Sequence, residues 1–462
     1  MNKLTALFLV FILVSCSFSL GPGIKVAIKQ STITAIKDQI VAYIMKQLHD
    51  ITANDIEGNA GPIHYHIHDI RAHLEPLPPE NVHIILVPNS NQVRASIGGI
   101  RASGHCRIDY KILFISGGFD GDADVHDVGV ETGFAFGYDG EGRPTAAMTG
   151  FDIGISDGNV NLSFHGDILG ELVNFLANFL KPVFVGLVRA VIDNTVPALA
   201  TKMINDMIRT LPMSVDIGPN MAITYKLPQN PWVNADYFCA AISGYIYYKP
   251  NPHPPNYEPR PCPDYDASSQ KGLHFFLTDY VIRSALDASF EADLLNVVVS
   301  VTVANYDVSL NCKAKTAPIL TFNSAVSVTA GALCEITATN KQSGEKMNFG
   351  LSADMLVNLK EYIKEQTLFF EILQISLSNM QIDNPNKYDL KWFEDSLNQI
   401  LQAAADFINI MLGQRGIKLP SIQGITYADI EEAPKDGYIE TLVTPIINIA
   451  FEKLAEEAMK EE

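Results

Sequence analysis

Basic residues are scarce in this 462-residue chain, which has 33 Lys and Arg against 52 Asp and Glu and a formal net charge of −19. A nucleic-acid-binding protein needs a cationic surface, because phosphate contacts supply most of its affinity, so we exclude nucleic acid as a partner. Charged residues are few, at 18% of the chain, whereas hydrophobic residues make up 47%. This composition excludes a disordered chain and predicts a large buried interior.

Catalytic motifs are also lacking. The sequence contains no Gly-x-Ser-x-Gly nucleophile elbow, no Walker loop and no Cys-x-x-Cys pair that would indicate zinc. The acidic run Asp120, Asp122, Asp124 and Asp127 resembles a calcium loop only superficially, because the glycine and the terminal glutamate of such a loop are out of place. We therefore predict that the protein is not an enzyme and uses no cofactor.

A row of alternating histidines is the one pattern that suggests a metal. His64, His66 and His68 would share one face of a β-strand, and imidazole groups placed in this way are able to hold a metal ion. The same pattern is typical of a solvated strand face that gains charge in mild acid. We favour the solvated face and predict no metal site.

The N-terminus has the order of a secretory signal peptide. One lysine precedes an apolar run from Leu4 to Val14, broken only by Thr5, and small residues follow. The run is too short for a membrane span, and no later run reaches about 18 apolar residues. Residues 13–16 also fit a bacterial lipoprotein box, which would make Cys16 a lipidated N-terminus. We expect a secreted, extracellular protein.

Secretion favours disulfide bonds among the remaining cysteines. One pair brackets a proline-rich loop and another lies in neighbouring strand-like runs, so four cysteines are expected in disulfides: Cys239, Cys262, Cys312 and Cys334. Cys106 is left over and is expected to be a buried free thiol. Asn161 begins the glycosylation sequon Asn-Leu-Ser, which is used only if the host glycosylates.

Hydrophobic periodicity predicts a helix, then strands, then a helix in the first half of the chain. Residues 24–49 have apolar residues at helical spacing, and residues 64–162 alternate as in an antiparallel sheet. Residues 168–211 predict a second long helix, with kinks at Pro182 and Pro197. A proline-rich stretch then marks a boundary.

The second half repeats this order. Residues 273–291 are helix-like, alternating strands run from 298 to 377, and a final helix is predicted over 390–412. The repeat indicates two similar units, each with a bent sheet around apolar helices. The first helix has only Val, Ile and Ala where the second has large Phe, so an apolar cavity is expected between helices and sheet.

Six short segments stand out along the chain: GPGIKVAI at 21–28, GRPT at 142–145, TLP at 210–212, LTDYV at 277–281, GIKLP at 416–420 and DGY at 436–438. In their order and spacing they resemble the family of the bactericidal/permeability-increasing protein, the lipopolysaccharide-binding protein and the plasma lipid-transfer proteins. The resemblance covers nearly all of residues 21–440.

The resemblance implies an α+β fold shaped like a boomerang. Two similar barrels, each a twisted antiparallel sheet wrapped around long helices, would be joined by a central antiparallel sheet. The implied division is a signal peptide at 1–19, an N-terminal lipid-binding barrel at 20–213, a central sheet and proline-rich linker at 214–265, a C-terminal lipid-binding barrel at 266–430, and a central-sheet strand with an amphipathic C-terminal helix at 431–462.

The resemblance also implies a lipid pocket in each barrel, lined by its helices. The expected lipid contacts of the first pocket are Val26, Ile33, Ile36, Ile40, Ile44, Leu172, Phe175, Leu176, Phe179, Phe184, Leu187 and Val191. Those of the second pocket are Tyr280, Val281, Phe393, Leu397, Leu401 and Phe407.

Two departures from the family shape the functional hypothesis. The positions that match the family's disulfide hold Phe151 and Asp193. The segment that matches the lysine-rich tip of bactericidal members keeps three basic residues but gains Asp109, and the whole chain is acidic, so attraction to anionic membranes should be weak. We therefore expect a monomeric carrier of phospholipid or glycolipid that touches a membrane or lipid particle transiently. The alternatives are an innate-defence protein that binds bacterial lipopolysaccharide and a structural module with filled barrels.

Overall fold

The structure, a computed structural model, describes residues 22–450 apart from 48–49, 53, 166–169, 219, 267, 324, 384, 414–415 and 421–423. For some residues within helices and strands, only the backbone is described. The expected signal peptide, the lipoprotein-box Cys16 and the last twelve residues of the expected C-terminal helix lie outside the described residues.

The helices follow the predicted order. They are α1 (Gln30–Gln47), α2 (Gly170–Arg209), α3 (Asp279–Glu291) and α4 (Lys391–Leu412), with short 3-10 turns at Pro79–Asn81, Pro88–Ser90, Asp157–Asn159 and Pro385–Lys387. Pro182 and Pro197 both lie inside α2. The bounds of α2 and α4 agree with the predicted helices within two residues.

Twenty-four strands make up the rest of the regular structure in the described chain. Those of the first half are β1 (Ile24–Lys29), β2 (Asp50–Thr52), β3 (Ile56–Ala60), β4 (Ile63–Leu74), β5 (Val82–Val87), β6 (Gln92–Ile112), β7 (Ile115–Tyr138), β8 (Pro144–Gly154), β9 (Val160–His165), β10 (Ser214–Gly218), β11 (Met221–Thr224), β12 (Trp232–Val233), β13 (Tyr237–Ile242) and β14 (Ile246–Tyr248). Those of the second half are β15 (Leu273–Thr278), β16 (Asn296–Val303), β17 (Tyr306–Ala314), β18 (Ile319–Phe322), β19 (Val326–Asn340), β20 (Lys346–Lys364), β21 (Thr367–Ile382), β22 (Ile417–Lys418), β23 (Ile425–Lys435) and β24 (Tyr438–Ile447).

Each half has a large antiparallel sheet. The first, with eight strands, has the order β2-β4-β6-β7-β8, with β3, β5 and β9 paired to β4, β6 and β7. The second, with seven strands, has the order β16-β17-β19-β20-β21-β22, with β18 paired to β19. A six-stranded sheet, β12-β13-β1-β15-β24-β23, joins strands of both halves, and β10-β11-β14 form a small sheet. We call the six-stranded sheet the central sheet.

The predicted helices at 24–49 and 273–291 each begin too early, because the structure has a strand first. β1 precedes α1, and β15 precedes α3. Ile24 to Ala27 are all buried, as are all six residues of β15. A strand that is buried on both faces lacks the alternation that marks a half-exposed strand, so its apolar run merges with the helix that follows.

The first large sheet packs against α2. Leu180 and Phe184 on this helix are buried in a core with Ile67 and Ile108 of the sheet. Only 13% of the most apolar stretch of α2, within residues 177–209, is buried, and by length and composition alone this helix is apolar enough to cross a membrane. The sequence did not predict this property of α2, because its apolar residues do not form one long unbroken run.

The cysteines agree only partly with the prediction. Cys312 and Cys334 lie opposite each other on β17 and β19 and form a disulfide, and Cys106 is a buried free thiol, both as expected. Cys239 and Cys262 are not bonded, which corrects the predicted pair. Cys239 is enclosed within β13, and burial raises its pKa to about 11 and that of Cys262 to about 12, which keeps both as thiols.

Candidate functional site

One wall of a cavity in the first half is formed by α1. Its apolar residues recur three or four positions apart, which gives the helix one apolar face. Ile33, Ile36 and Ile40 lie on this face and line the cavity. Asp38 lies on the opposite face and is exposed.

The C-terminal part of α2 forms the facing wall. Val196, Ala200 and Ile204 are four residues apart, so they lie in one row along the helix and line the cavity. Met207 of the same helix lines the cavity and packs against Ile36 of α1, which closes one side. The small side chain of Ala200 leaves room between the two helices.

The remaining walls come from β5 to β8, from the segment that follows β11, and from the central sheet, which includes β23. The aromatic side chains among them are Phe134, Phe136, Phe151, Tyr225, Phe238, Phe275 and Tyr427. The cavity has a volume of about 350 Å³, which falls within the range of roughly 300–1,000 Å³ for small-molecule sites. It therefore lies between the first large sheet and the central sheet.

The two tyrosines present apolar ring faces to the cavity, because their hydroxyl groups are used elsewhere. Tyr225 donates a hydrogen bond to the carbonyl of Lys418, and Tyr427 donates one to the carbonyl of Pro420. Burial raises the pKa of both phenols, so both are neutral.

The one charged side chain in the described lining is held away from the cavity. Lys37 Nζ donates to the carbonyl oxygens of Pro79 at 2.8 Å and Val82 at 3.0 Å and lies 2.6 Å from Asp38 Oδ1. Only the aliphatic stem of Lys37 then adds to the lining. The cavity consequently suits an uncharged, apolar ligand.

Comparisons with known proteins agree with this architecture. The chain is 24% identical to the lipopolysaccharide-binding protein of Mus musculus over 326 residues, which are 67% of this chain and 64% of that protein. It is 21% identical to the phospholipid transfer protein of Mus musculus over 276 residues, which are 59% of this chain and 54% of that protein. The predicted family resemblance is confirmed.

The fold of this chain matches that of the lipopolysaccharide-binding protein. A crystal structure of that protein has a TM-score of 0.60 and 15% identity, covering 93% of this chain and all of the other. Two curled sheets with a sheet between them are consistent with that match. The sequence alignments span less than two thirds of the relatives' own length. No family model matches the chain.

The predicted lipid contacts fall into three groups. Val26, Ile33, Ile36 and Ile40 line the cavity. For six others only the backbone is described, so their side chains lie outside the described residues: Ile44, Leu172, Phe175, Leu176, Leu187 and Val191. Phe179 and Phe184 pack against the distal part of the first sheet, where Phe179 contacts the Tyr65 ring edge-on at 5.6 Å. These two phenylalanines do not line the cavity.

The six predicted contacts of the second half do not line this cavity either. Val281 is buried in the core under the central sheet, and Tyr280 packs against Tyr257. Phe393 is 1% exposed and packs edge-on against another phenylalanine, whereas Phe407 is 42% exposed. Leu397 and Leu401 lie at the margins of the cores that α4 forms with the second sheet.

Several lining residues were missed because they lie on strands. Phe134 and Phe136 alternate along β7, and this alternation was visible in the sequence as a strand with one apolar face. Phe151 of β8 also lines the cavity. Nothing in the sequence showed which of the apolar strand faces surrounds a space and which is packed.

The hairpin between β6 and β7 ends in an exposed apolar tip. Leu113 is 75% exposed, Phe114 is 99% exposed and Ile115 is 66% exposed. Three neighbouring apolar side chains at a loop tip are costly in water unless they contact another apolar phase. We call these residues the hairpin tip.

The outer face of the first sheet is polar. A wide groove of about 680 Å³ runs over it, lined by groups such as Arg71, His105 and Asp124. These side chains are exposed or half-buried, so the groove cannot exclude water from an acyl chain. The expected glycosylation residue, Asn161, is exposed on β9 beside this groove.

Proposed function

We propose that the protein binds the acyl part of a phospholipid or similar lipid in the cavity of its first half and carries it between membranes. The observation that carries this proposal is the lining, which is apolar on all described walls and whose polar groups are already paired within the protein. A lipid chain is the natural ligand of such a space, because it needs no polar partner.

The energetics favour exchange at a membrane over release into water. Each buried methylene gains about 0.8 kcal/mol, so ~15 methylenes gain on the order of 12 kcal/mol relative to water. Transfer from a bilayer to the cavity is close to neutral because both are apolar. The protein must therefore take up and release lipid while it touches a membrane, and no catalytic group is needed.

The hairpin tip supplies a candidate membrane contact. The apolar side chains of Leu113, Phe114 and Ile115 point into solvent at the end of the longest hairpin of the first sheet. Burying them in a bilayer would gain roughly 1.5–3 kcal/mol for each side chain. This gain suits transient binding, since a net charge of −19 opposes adsorption to an anionic surface.

The half-buried apolar surface of α2 supports the same proposal. Val196, Ala200 and Ile204 are only partly buried although they lie between two sheets and a second helix. A lipid chain in the cavity would remove this surface from water and stabilise the helix.

A second candidate function is binding of bacterial lipopolysaccharide, because a relative is named for that ligand. Basic side chains near the hairpin tip include Arg107 and Lys111, but Arg107 Nη1 lies 3.7 Å from Asp120 and its Nε 3.9 Å from Asp109. Nearby carboxylates thus offset part of the charge that an anionic glycolipid requires. We favour phospholipid carriage by a secreted monomer.

The test is lipid uptake by the full chain. Purified protein is incubated with phosphatidylcholine vesicles, re-isolated, extracted with solvent and analysed by mass spectrometry. We expect about one bound lipid per chain and accelerated transfer of labelled phospholipid between vesicles. An extract without lipid, together with an unchanged transfer rate, would refute the proposal. Tighter, salt-sensitive binding to lipopolysaccharide vesicles would instead favour the second function.

A further inference from the structure

A cluster of metal-ligating side chains lies on the outer face of the first sheet, away from the cavity. In β4 the side chains of Tyr65 and Ile67 are buried, so those of His66 and His68 point to the opposite, solvent-facing side. The antiparallel register of β4 with β6 places Asp109 directly opposite His66. This pairing across strands brings together three potential ligands from two strands.

The three side chains are close enough to share one ion. One ligand atom from each of His66, His68 and Asp109 lies within 4.8 Å of the other two. His68 Nε2 is 3.3 Å from Asp109 Oδ2, and the two imidazole rings stack with centroids 5.0 Å apart. Ligands of a tetrahedral zinc ion, bound at about 2.0–2.2 Å, are separated by roughly 3.4 Å. The histidine–aspartate pair already has this separation, and a small rotation of His66 would complete it.

A further carboxylate, outside the cluster, contacts the imidazole of His68. His68 Nδ1 lies 3.0 Å from Asp69 Oδ2, which leaves Nε2 facing Asp109. Asp69 adopts a left-handed backbone conformation, with φ of 54°, at a bulge in β4, and this turn brings its carboxylate beside the ring. A carboxylate on the second nitrogen of a ligating histidine fixes the ring and its tautomer.

A fourth oxygen is near the cluster. Asp55 Oδ2 lies 3.3 Å from His66 Nε2. Arg107 is a cation close to the cluster, and its Nε lies 3.9 Å from Asp109 Oδ1. The other carboxylate oxygen of Asp109, Oδ2, faces His68. Both histidines are solvent-accessible, at 40% and 22% side-chain exposure, so an ion can enter without opening the fold.

We propose that His66, His68 and Asp109 bind a divalent transition-metal ion of the zinc type, with Asp55 or water as a further ligand. Two imidazole nitrogens and one carboxylate are a donor set that suits Zn²⁺ and disfavours Ca²⁺ and Mg²⁺, which prefer oxygen alone. The histidine spacing alone did not indicate this site, because the third ligand, Asp109, comes from another strand. This inference does not rest on lipid binding, since the site and the cavity are on opposite faces of the sheet.

The test is isothermal titration of the full, untagged chain with zinc chloride at pH 7.5. We expect one Zn²⁺ per chain, and we expect His66→Gln, His68→Gln and Asp109→Asn each to weaken binding by at least about tenfold. His126→Gln is the matched control, because His126 also lies on this sheet beside an aspartate, at 3.1 Å from Asp127. It should bind Zn²⁺ as the unaltered chain does.

A spectroscopic measurement tests the three ligands without relying on the affinity for Zn²⁺. Co²⁺ bound by these ligands should give visible absorption bands that Asp109→Asn alters and His126→Gln leaves unchanged, with circular dichroism showing that each variant is folded. The proposal is overturned if the chain binds no Zn²⁺, or if binding survives all three substitutions. It is equally overturned if binding is lost in His105→Gln instead, which would place the ion at the separate contact of His105 with Asp122.

Discussion

Val26 of β1 lies directly opposite Phe275 of β15 in the antiparallel register of the central sheet, and both side chains line the cavity. The two strands occupy the same position in the two halves of the internal repeat, each just before a helix. The cavity that α1 and α2 enclose is thus completed by a strand from the second half. The lipid binding that we propose for this cavity would therefore depend on residues of both halves.

Filling the cavity should slow lipid transfer. Ala200→Phe places a phenyl ring between the two helices, and we expect the rate of phospholipid transfer to fall at least about fivefold, because overpacking costs roughly 1–3 kcal/mol. Ala198→Phe is the matched control, since Ala198 is exposed two residues earlier on the same helix. Equal transfer rates for the two variants would show that the cavity does not hold the lipid.

The hairpin tip should control vesicle binding without affecting stability. Phe114 is 99% exposed, so Phe114→Ser removes no internal contact and should leave the melting temperature unchanged. We expect the affinity for vesicles, measured by flotation, to decrease at least about tenfold, from the loss of roughly 1.5–3 kcal/mol of apolar burial in the bilayer. Ile319→Ser, at an exposed position in the second half, should float as well as the unaltered chain. A loss of flotation in both variants would point to general adsorption.

The thiols should be unreactive in the folded protein and countable after unfolding. Burial, followed by the charges of Asp122 and Asp120, raises the pKa of Cys106 to about 12, so only ~0.01% is thiolate at pH 8. Iodoacetamide should therefore label Cys106, Cys239 and Cys262 slowly in the native state. In denaturant without reductant, mass spectrometry should find all three labelled. If only Cys106 is labelled in denaturant, Cys239 and Cys262 are joined by a disulfide after all, as the sequence predicted.

Stability should decrease in mild acid because of one buried histidine. His274 is 0% exposed in the central sheet, and burial together with Lys29 lowers its pKa below the ordinary 6.5. Below pH 6.5 the unfolded chain then binds a proton that the folded chain does not, so the free energy of unfolding falls as pH decreases toward the folded-state pKa. Urea unfolding at pH 7.5 and pH 5.5 measures this loss.

His274→Phe should reduce that pH dependence, because the ring it introduces does not titrate. His126→Gln, which changes a half-buried histidine of the first sheet, provides the comparison and should retain the difference. If the difference between the two pH values is the same in His274→Phe, another group is responsible for it.

The sequence was sufficient for the order of elements and for part of the cavity wall. Ile33, Ile36 and Ile40 were identified because a helical period reports which side chains share a face. The strand at 24–29 was not identified, because burial on both faces removes the alternating pattern. Its counterpart at 273–278 was missed for the same reason, as expected of a repeat.

Other features depend on contacts that no local pattern encodes. Phe184 and Ile36 look alike as apolar helix residues, yet Phe184 fills a core and Ile36 faces a space, and only the packing of the sheet decides this. Asp109 meets His66 through strand register, which spacing along the chain does not give. Cys239 and Cys262 bracket one loop without bonding, which their positions along the chain do not show.

The most direct measurement is photocrosslinking with a phospholipid that carries a diazirine near the end of an acyl chain. After incubation of the full chain with vesicles of this lipid, illumination and digestion, mass spectrometry locates the labelled residues. We predict labels within α1 and the C-terminal part of α2, at positions such as Ile36 and Ile204, and the loss of these labels in Ala200→Phe. Labels confined to the outer face of the sheets, unchanged by Ala200→Phe, would contradict it.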